Sequence, residues 1–530
     1  MDDNDSVEYS NRPLRSSFRH THSNDEEDFR KHRSVRFNVD KDIFEMEKTL
    51  VNAVEQLGKC SLWLILMLVL SGWPLVIVAL QSSVLSIIQL FNFKCFISDL
   101  TNSNWNLTMQ KNISMPRGTE GKECLMYDVN YKWLSKLPYP EALDYIQKNK
   151  ARFPIRECKL VVCDHNYFRE GYTFADKAYL STVCTEYLQN YLWVSGWCGR
   201  CVNDLIMGVA ADIYGRKLVI QINILMCFTG LLVILFTKSA WVLIVGRVLS
   251  AGGGYSCCLV CYIYFTEMCN KNIRPLFCQI IFVCWGIGYL LAPILLYHVQ
   301  KWVYLRGCIM PLVLVCFFAM WYMPESPRWL ISRKKYLQAQ KVINGIDKNL
   351  LLEEVEYLDL PTLQGSRICK QFQIFEAPVL GYRIVKSAIM YATSILTYYA
   401  SRREAGYVDI DIYNYFLFLS LIALMHPLSS TVLINFMGRR LSVACVYALL
   451  SIFYCTVLIE GSHRNIEYTL FMLILNFATI SNNITMQHVV EMYPVPHSGT
   501  VLGFCTSLGS LSVVLHNILD KDFGPLLSIV

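Results

Sequence analysis

Two short charged segments stand out because each is followed, at almost the same distance, by an acidic residue. The first, GVAADIYGRK, is Gly208–Lys217, and the second, NFMGRR, begins at Asn435. Asp212 precedes Glu267 by 55 residues (267 − 212), and Asn435 precedes Glu491 by 56 (491 − 435). Basic and acidic side chains placed in this way at the ends of apolar segments can form ion pairs between helix ends.

The setting of the two segments indicates an internal duplication. Each lies between two apolar runs, as a tight turn between membrane helices does, and each acidic residue stands in a Glu-Met pair that ends an apolar run (Glu267-Met268 and Glu491-Met492). Many transporters are built from repeated halves. The pattern therefore favours a two-repeat membrane transporter over a chain with ordinary polar loops bent at a glycine.

Composition defines the broad class. Of the 530 residues, 54% are hydrophobic and 17% are charged, below the roughly 25% charged residues of soluble domains. Many apolar windows reach about 20 residues, enough to cross a bilayer, which predicts an all-α polytopic membrane protein. The net charge of +6 is explained by Lys and Arg in cytoplasmic loops and requires no nucleic acid. The sequence contains no nucleophile-elbow, phosphate-loop or zinc-ligand pattern, so no enzyme, cofactor or metal is expected.

Two polar regions flank the first apolar segment. Residues 1–55 lack a signal-peptide core and predict a disordered cytoplasmic tail. Residues 94–190 form a long insertion whose sequons at Asn106 and Asn112 fit glycosylation outside the cell. Four cysteines of the insertion allow three disulfide pairings, with free thiols as the alternative. They are Cys95, Cys124, Cys158 and Cys163.

The apolar segments fall into two bundles. Spans one to six occupy 56–323, a Lys- and Arg-rich central loop at 324–383 is predicted to be cytoplasmic, and spans seven to eleven occupy 384–530. The duplication predicts a twelfth span, but the residues after the eleventh are too few to cross, so we expect the last helix to be missing. In span two, Arg200 and Asp204 are four residues apart and can pair on one helical face, either as a structural pair or beside the substrate path.

A second group of motifs specifies the family. ADIYGRK resembles the loop signature of the major facilitator superfamily, and PESPRWL (Pro324–Leu330) directly after span six is similar to the organic cation, anion and zwitterion transporters of solute carrier family 22. The tyrosines Tyr398-Tyr399 and the string Glu491–Pro494 also match, and the resemblance extends from about Glu55 to the end. It implies a major-facilitator fold of two six-helix repeats, here with the last helix missing.

The resemblance also implies that charges at the cytoplasmic face act as a gate. Gly208 would let helices pack closely, Gly215 would allow a tight turn, and Asp212 would accept hydrogen bonds from a helix N-terminus across the interface between the halves. The charges would hold one face closed and release it as the halves rock, whereas in the alternative they only set topology. The expected gating residues are Gly208, Asp212, Gly215, Arg216, Lys217, Glu267, Glu325, Arg328, Gly438, Arg439, Arg440 and Glu491.

The substrate positions depart from the family pattern. Cys258 replaces an aromatic residue, Met425 stands where many members have Glu, and Ser510 stands where cation transporters commonly carry Asp and anion transporters Arg. The aromatic positions suit a cation, and few other charges are expected at mid-membrane, so the sequence favours bulky organic cations or zwitterions over dicarboxylates. The expected substrate-binding residues are Tyr255, Cys258, Trp285, Tyr391, Tyr398, Met425 and Ser510.

These expectations combine into one predicted function. The chain would move small organic ions across the plasma membrane by alternating access, with its N-terminus in the cytoplasm, the bilayer as its environment and no cofactor. One alternative is a sugar or synaptic-vesicle-type carrier of the same superfamily. The other is a non-transporting receptor or scaffold that has kept the fold, which the missing span and the altered motif positions would favour.

Overall fold

The computed structural model describes most of the apolar part of the chain. The described residues are 47–57, 62–90, 92–95, 97–101, 105, 107–114, 125–149, 152–157, 160–164, 167–168, 186–237, 239–299, 302–347, 367–406, 412–460 and 464–523. Most of the predicted tail and the last residues, 524–530, therefore lie outside the described part. The disordered tail and the missing final helix remain predictions.

Long helices dominate these residues, and short strands occur only between 92 and 168. In chain order the elements are α1 (47–57), α2 (Leu62–Leu90), β1 (Asn92–Cys95), α3 (Ser98–Thr101), α4 (Leu107–Ser114), β2 (Leu125–Tyr127), α5 (Tyr131–Leu134), α6 (Tyr139–Asn149), β3 (Ile155–Glu157), β4 (Leu160–Asp164), β5 (Tyr167–Phe168), α7 (Glu186–Tyr214), α8 (Arg216–Phe236), α9 (Ala240–Met268), α10 (Arg274–His298), α11 (Trp302–Ala319), α12 (Pro327–Ser332), α13 (Tyr336–Ile346), α14 (Arg367–Glu376), α15 (Pro378–Gly406), α16 (Ile412–Glu460), α17 (Arg464–Met492) and α18 (Ser498–Phe523). Within the described ranges, eight helices are long and apolar enough to cross a membrane, by length and composition alone. The helical, multi-span class predicted from the sequence is confirmed.

Two further helices of full membrane length are not among these eight. They are α7, which carries the Arg200–Asp204 pair, and α15, and each has 29 residues. One of the eight candidates, Phe416–Val457, is 42 residues long and contains a break at Gly438. It therefore holds two of the predicted spans, the eighth and the ninth.

The breaks at Gly215 and Gly438 are conformationally alike. Gly215 has φ 111° and ψ 163°, and Gly438 has φ 71° and ψ 167°. Positive φ with extended ψ is a region that glycine alone enters without strain. Among the described glycines, these two are the ones with positive φ. The two charged segments thus share their backbone geometry as well as their spacing.

The halves of the bundle meet along two helix pairs, α7 with α18 and α10 with α16. Small residues allow both approaches. A Cβ at Gly208 would lie 2.5 Å from the Gly499 carbonyl oxygen and 3.0 Å from Gly503 Cα. On the other pair, a Cβ at Gly286 would lie 2.9 Å from the Ala423 carbonyl oxygen. Side chains at these points would push the halves apart.

The predicted insertion forms a small mixed region between α2 and α7. Its strands make an antiparallel sheet in the order β1-β4-β5 and a separate β2-β3 pair. Asn112 is exposed on α4, a position open to a glycan. Cys95 ends β1 and Cys163 lies in β4, whereas Asn106, Cys124 and Cys158 lie outside the described residues. Glycosylation and disulfide pairing remain predictions.

Tight glycine contacts also occur within the first half, and they generate a prediction. A Cβ at Gly230 on α8 would lie 2.4 Å from the Ser250 backbone nitrogen on α9, whereas a Cβ at Gly307 on α11 would meet no atom within 4 Å. Gly230→Ala should therefore destabilise the protein by about 1–3 kcal/mol, because the backbone of α9 has to move. Gly307→Ala should not. Melting temperatures of the two purified variants test this, and equal stability would contradict the packing described here.

Candidate functional site

The central contact of the first charged segment is made by Asp212 with the start of α18. Its carboxylate accepts hydrogen bonds from the Gly499 backbone N–H at 3.1 Å, the Thr500 backbone N–H at 2.6 Å and the Thr500 hydroxyl at 2.7 Å. Asp212 is fully buried. A carboxylate at a helix N-terminus satisfies N–H groups that have no partner within the helix and is attracted by the helix dipole. This is the contact that the family resemblance implied for Asp212.

Arg216 fills the space beneath this contact. It is fully buried, and its Nη2 lies 2.7 Å from Glu267 Oε1 and 3.2 Å from Asp212 Oδ1. The same nitrogen donates to the Val495 carbonyl at 2.8 Å, and Nη1 donates to the Ala211 carbonyl at 2.9 Å. A buried guanidinium is tolerated where it is paired and its N–H groups are bonded. Arg216 therefore joins α7, α9 and the segment that leads into α18.

Glu325 plays the corresponding part at the start of α8. Its carboxylate accepts the backbone N–H groups of Arg216 at 2.9 Å and Lys217 at 3.3 Å. A Cβ at Gly215 would lie 2.5 Å from Glu325 Oε2, so the glycine is required for space as well as for its φ. Burial raises the pKa of Glu325 above its ordinary value, despite these hydrogen bonds. Glu325, which the sequence analysis names as a gating residue, thus caps a helix through backbone N–H groups.

The PESPRWL segment fixes the rest of the cluster. The Ser326 hydroxyl donates to Glu267 Oε2 at 2.5 Å, and Trp329 Nε1 donates to the Asp212 carbonyl at 2.9 Å. We call Asp212, Arg216, Glu267, Glu325 and Ser326 the motif cluster, and the end of the bundle that holds it the motif end.

The remaining predicted gating residues lie around or away from the motif cluster. Lys217 donates to the Trp321 carbonyl at 2.9 Å, and Arg328 pairs with Glu55 at 2.6 Å. In the second copy, Arg439 pairs with Glu491. Arg440 is exposed, and a Cβ on Gly438 would meet nothing within 4 Å. The first copy is therefore packed into the interface between the halves, whereas the second is open.

A cavity of about 120 Å³ lies between the halves, deeper in the bundle. Its lining is rich in aromatic residues and includes amides and two arginines. The residues are Leu75, Trp197, Arg200, Tyr255, Cys258, Leu259, Tyr262, Phe282, Trp285, Tyr289, Tyr391, Ile395, Tyr398, Arg402, His426, Thr479, Asn482, Asn483, Met486 and Thr506. We call it the central cavity.

The two arginines are held by different partners. Arg200 Nε lies 3.2 Å from Asp204 Oδ2, and its guanidinium carbon lies 4.8 Å from the Tyr255 ring centroid. Arg402 Nη1 donates to the hydroxyls of Tyr289 at 2.9 Å and Tyr398 at 3.2 Å. Among the described residues that line the cavity none is acidic. Asp204, which forms the ion pair with Arg200, is not part of the lining. The described lining therefore contains two arginine side chains and no acidic one.

Five of the seven predicted substrate residues line the central cavity: Tyr255, Cys258, Trp285, Tyr391 and Tyr398. Met425 does not, because its side chain points outward and is 61% exposed. The next residue, His426, is turned by about 100° along the helix and takes the inward position. Ser510 is buried, but its hydroxyl donates to the Thr506 carbonyl at 2.9 Å and it is not part of the lining.

Arg402 is the main residue that sequence reasoning missed. The apolar run of this helix ends at about residue 400, but α15 continues to Gly406. This extension keeps Arg402 on the inner face, four residues and one helical turn beyond Tyr398. The available signal was the helical spacing of the polar residues Tyr398, Ser401 and Arg402 after the apolar run.

The arrangement of helices and sites defines a class. The fold is that of the major facilitator superfamily, to which the proton:xylose symporter XylE, bound to 6-bromo-6-deoxy-D-glucose, belongs. That structure matches with a TM-score of 0.53 and 12% identity, over 87% of this chain and 90% of that chain. A family model described as sugar (and other) transporter matches residues 168–520. The chain belongs to this family.

Curated relatives confirm the narrower resemblance seen in the motifs. Human organic cation/carnitine transporter 2 is 24% identical over 309 residues, which is 55% of each chain. Bovine solute carrier family 22 member 1 is 23% identical over 352 residues, 64% of this chain and 60% of that protein. The chain therefore spans between half and two thirds of the length of these relatives. At this identity it is a divergent protein similar to solute carrier family 22.

The buried ion pair of the motif cluster yields a stability prediction. Glu267→Gln leaves the fully buried Arg216 without its closest charged partner. Breaking a buried pair costs about 3–5 kcal/mol, and we expect a value toward the lower end because Asp212 remains nearby. Lys148→Gln, which breaks an exposed pair with Asp144, should cost at most about 1 kcal/mol.

The melting temperatures of the two purified variants check this difference. If Glu267→Gln has the same melting temperature as wild type, and the Lys148→Gln control is also unchanged, the stability of the protein does not depend on the buried pair between Arg216 and Glu267.

Proposed function

We propose that the chain is a carrier that moves small organic ions across the plasma membrane by alternating access, with the motif end in the cytoplasm. The basic residues of the motif loops and of 324–383 favour this orientation, because cytoplasmic loops carry an excess of Lys and Arg. The observation that carries the proposal is the pairing of a central cavity between the halves with a buried contact that closes one end. Carriers of this type rock their halves around a central site.

The motif cluster is the proposed gate. To open the motif end, α7 and α18 must separate, and Asp212 must lose three hydrogen bonds from the start of α18. Water can replace those bonds once the ends have parted, so the closed and open arrangements differ by a modest free energy. A two-state element of this kind suits a rocking switch.

The charge of the central cavity defines the proposed substrate. The sequence favoured cations or zwitterions, but Arg402 adds a second guanidinium to the cavity. The rings of Tyr255 and Tyr289 already contact the guanidinium groups of Arg200 and Arg402, respectively. We propose that the substrate carries a carboxylate, as a zwitterion or a monoanion, and that Arg402 binds it. A zwitterion would place its cationic group against the remaining aromatic rings. This choice agrees with the similarity of the chain to human organic cation/carnitine transporter 2.

The size of the central cavity adds a constraint. Its volume of about 120 Å³ is below the roughly 300–1,000 Å³ of sites that bury drug-sized ligands. A small ion fits this arrangement after side-chain adjustment, while a bulky one requires the cavity to widen. We therefore propose that substrates are small, which narrows the bulky ions expected from the sequence.

Substitution of Arg402 tests the proposed substrate. Hydrogen bonds to charged groups contribute about 1.5–3 kcal/mol, so Arg402→Gln should lower uptake of carnitine roughly tenfold or more. Arg402→Lys should retain part of it, because the charge remains. The measurement is initial uptake of labelled carnitine, tetraethylammonium, a dicarboxylate and a hexose in cells, at matched surface level.

The pattern across substrates decides the outcome. Uptake of tetraethylammonium with none of carnitine would overturn the carboxylate assignment, and uptake of the hexose alone would favour a sugar carrier. No uptake of any probe by a protein that reaches the surface would favour the scaffold alternative.

Substitution of Asp212 tests the proposed gate. Asp212→Asn keeps the size of the side chain but removes its charge and its ability to accept all three hydrogen bonds. Coupling energies of switches are about 1–3 kcal/mol, so transport should slow by roughly 5–150-fold at unchanged surface level. Asp144→Asn, in an exposed pair of the insertion, is the matched control. Normal transport by Asp212→Asn would contradict the gating role and would mean that the motif only sets the membrane topology.

A further inference from the structure

A second, larger cavity lies at the motif end, on the outer side of the second half. It has a volume of about 910 Å³ and is bounded by α15, the second part of α16 and α17. The residues that line it are Pro378, Val379, Tyr382, Arg383, Lys386, Ser387, Met390, Arg439, Arg440, Val443, Ala444, Tyr447, His488, Glu491 and Met492. It shares no residue with the central cavity, and the transport proposal does not use it. We call it the basic cavity.

Four cations converge on the basic cavity from two helices. Arg383 and Lys386 extend from α15, and Arg439 and Arg440 extend from α16 directly after its break at Gly438. Within the described lining, Glu491 is the one acidic residue, and it pairs with Arg439. The formal charges therefore leave an excess of three positive charges. Such an excess around a cavity of this size favours an anion with more than one negative charge.

Most of the remaining residues that line the basic cavity are apolar. Met390, Val443, Ala444 and Met492 contribute to the lining. A soluble anion gains nothing from such walls, whereas a lipid places its headgroup among the cations and the start of its acyl chains against the apolar surface. Basic pockets between membrane helices have this composition where they bind anionic lipid headgroups.

The surface beside the basic cavity continues the apolar wall. Val385 and Ile389 lie on either side of Lys386 in α15 and are 54% and 60% exposed. In a membrane these side chains face the acyl chains of lipids, with Val385 at the level of the cations and Ile389 about one turn beyond Lys386. The basic side chains would therefore face the headgroup of a phospholipid, and the apolar side chains would face its acyl chains.

We propose that the basic cavity binds the headgroup of an anionic phospholipid with several phosphate charges, drawn from the leaflet at the motif end. The headgroup phosphates contact Lys386 and Arg440, and the acyl chains lie along Val385 and Ile389. Because Arg439 borders the same cavity, the lipid also competes with Glu491 for this cation. Lipid binding thereby weakens the ion pair between Arg439, in the second charged segment, and Glu491.

Lipid titration of the full-length protein tests the proposal. Purified protein in detergent is titrated with a phosphatidylinositol bisphosphate, and the rise in melting temperature gives an apparent Kd. Each basic residue near an anionic lipid contributes roughly a fivefold change in affinity, so Lys386→Gln with Arg440→Gln should weaken binding roughly 25-fold. Lys386→Arg should bind as wild type does, and so should Lys341→Gln, which removes an exposed cation on α13.

Three results would overturn the proposal. The first is equal affinity of the double variant and wild type. The second is equal stabilisation by phosphatidylcholine, which would remove the requirement for negative charge. The third is equal stabilisation by inositol trisphosphate at the same concentration, which would make the cavity a site for soluble anions. If the double variant does not fold, the two single variants are each expected to bind roughly fivefold more weakly, and unchanged affinity in both would overturn the proposal equally.

Discussion

The rest of the structure depends on one buried carboxylate, Asp212, placed at the start of α18. A desolvated acid is stable there because backbone N–H groups, a hydroxyl and Arg216 surround it. This requirement determines the neighbouring sequence. Gly499 must lack a side chain, since a Cβ there would lie 2.8 Å from Asp212 Oδ1, and Gly208 must lack one so that α7 and α18 can approach.

At the motif end, carboxylates cap the N-termini of two helices. Asp212 receives the N–H groups of α18, and Glu325 receives those of α8. Arg216 and Glu267 complete the charge balance in the dry space between them. Since every bond in this group is short-ranged and directional, a small separation of the halves removes several at once. This simultaneous loss of several bonds over a short distance is the physical basis of the proposed switch between a closed and an open motif end.

Much of the fold and the motif cluster could be predicted from the sequence, because the relevant signals are local. Span lengths follow from apolar runs, and the paired glycine breaks follow from the two charged segments. The central cavity was harder, because its lining depends on where helices end and how they are rotated. Arg402 was missed because polar residues extend α15 by a turn beyond its apolar part. Met425 was expected in the lining, but the inward position belongs to His426, which is one residue and about 100° further around the helix. The helix-capping role of Glu325 depends on the path of a loop, which no local pattern encodes.

The most direct test of the account is a double-mutant cycle between Asp212 and Thr500, measured as initial uptake of carnitine at matched surface level. Thr500→Val removes the hydroxyl that donates to Asp212 at 2.7 Å, and Asp212→Asn removes the acceptor charge. Side chains that act through a shared contact are coupled by about 0.5–3 kcal/mol, so the account predicts that the double variant is hardly slower than Asp212→Asn alone. Slowing equal to the product of the two single effects would mean that the residues act independently, and it would contradict a gate built on this contact.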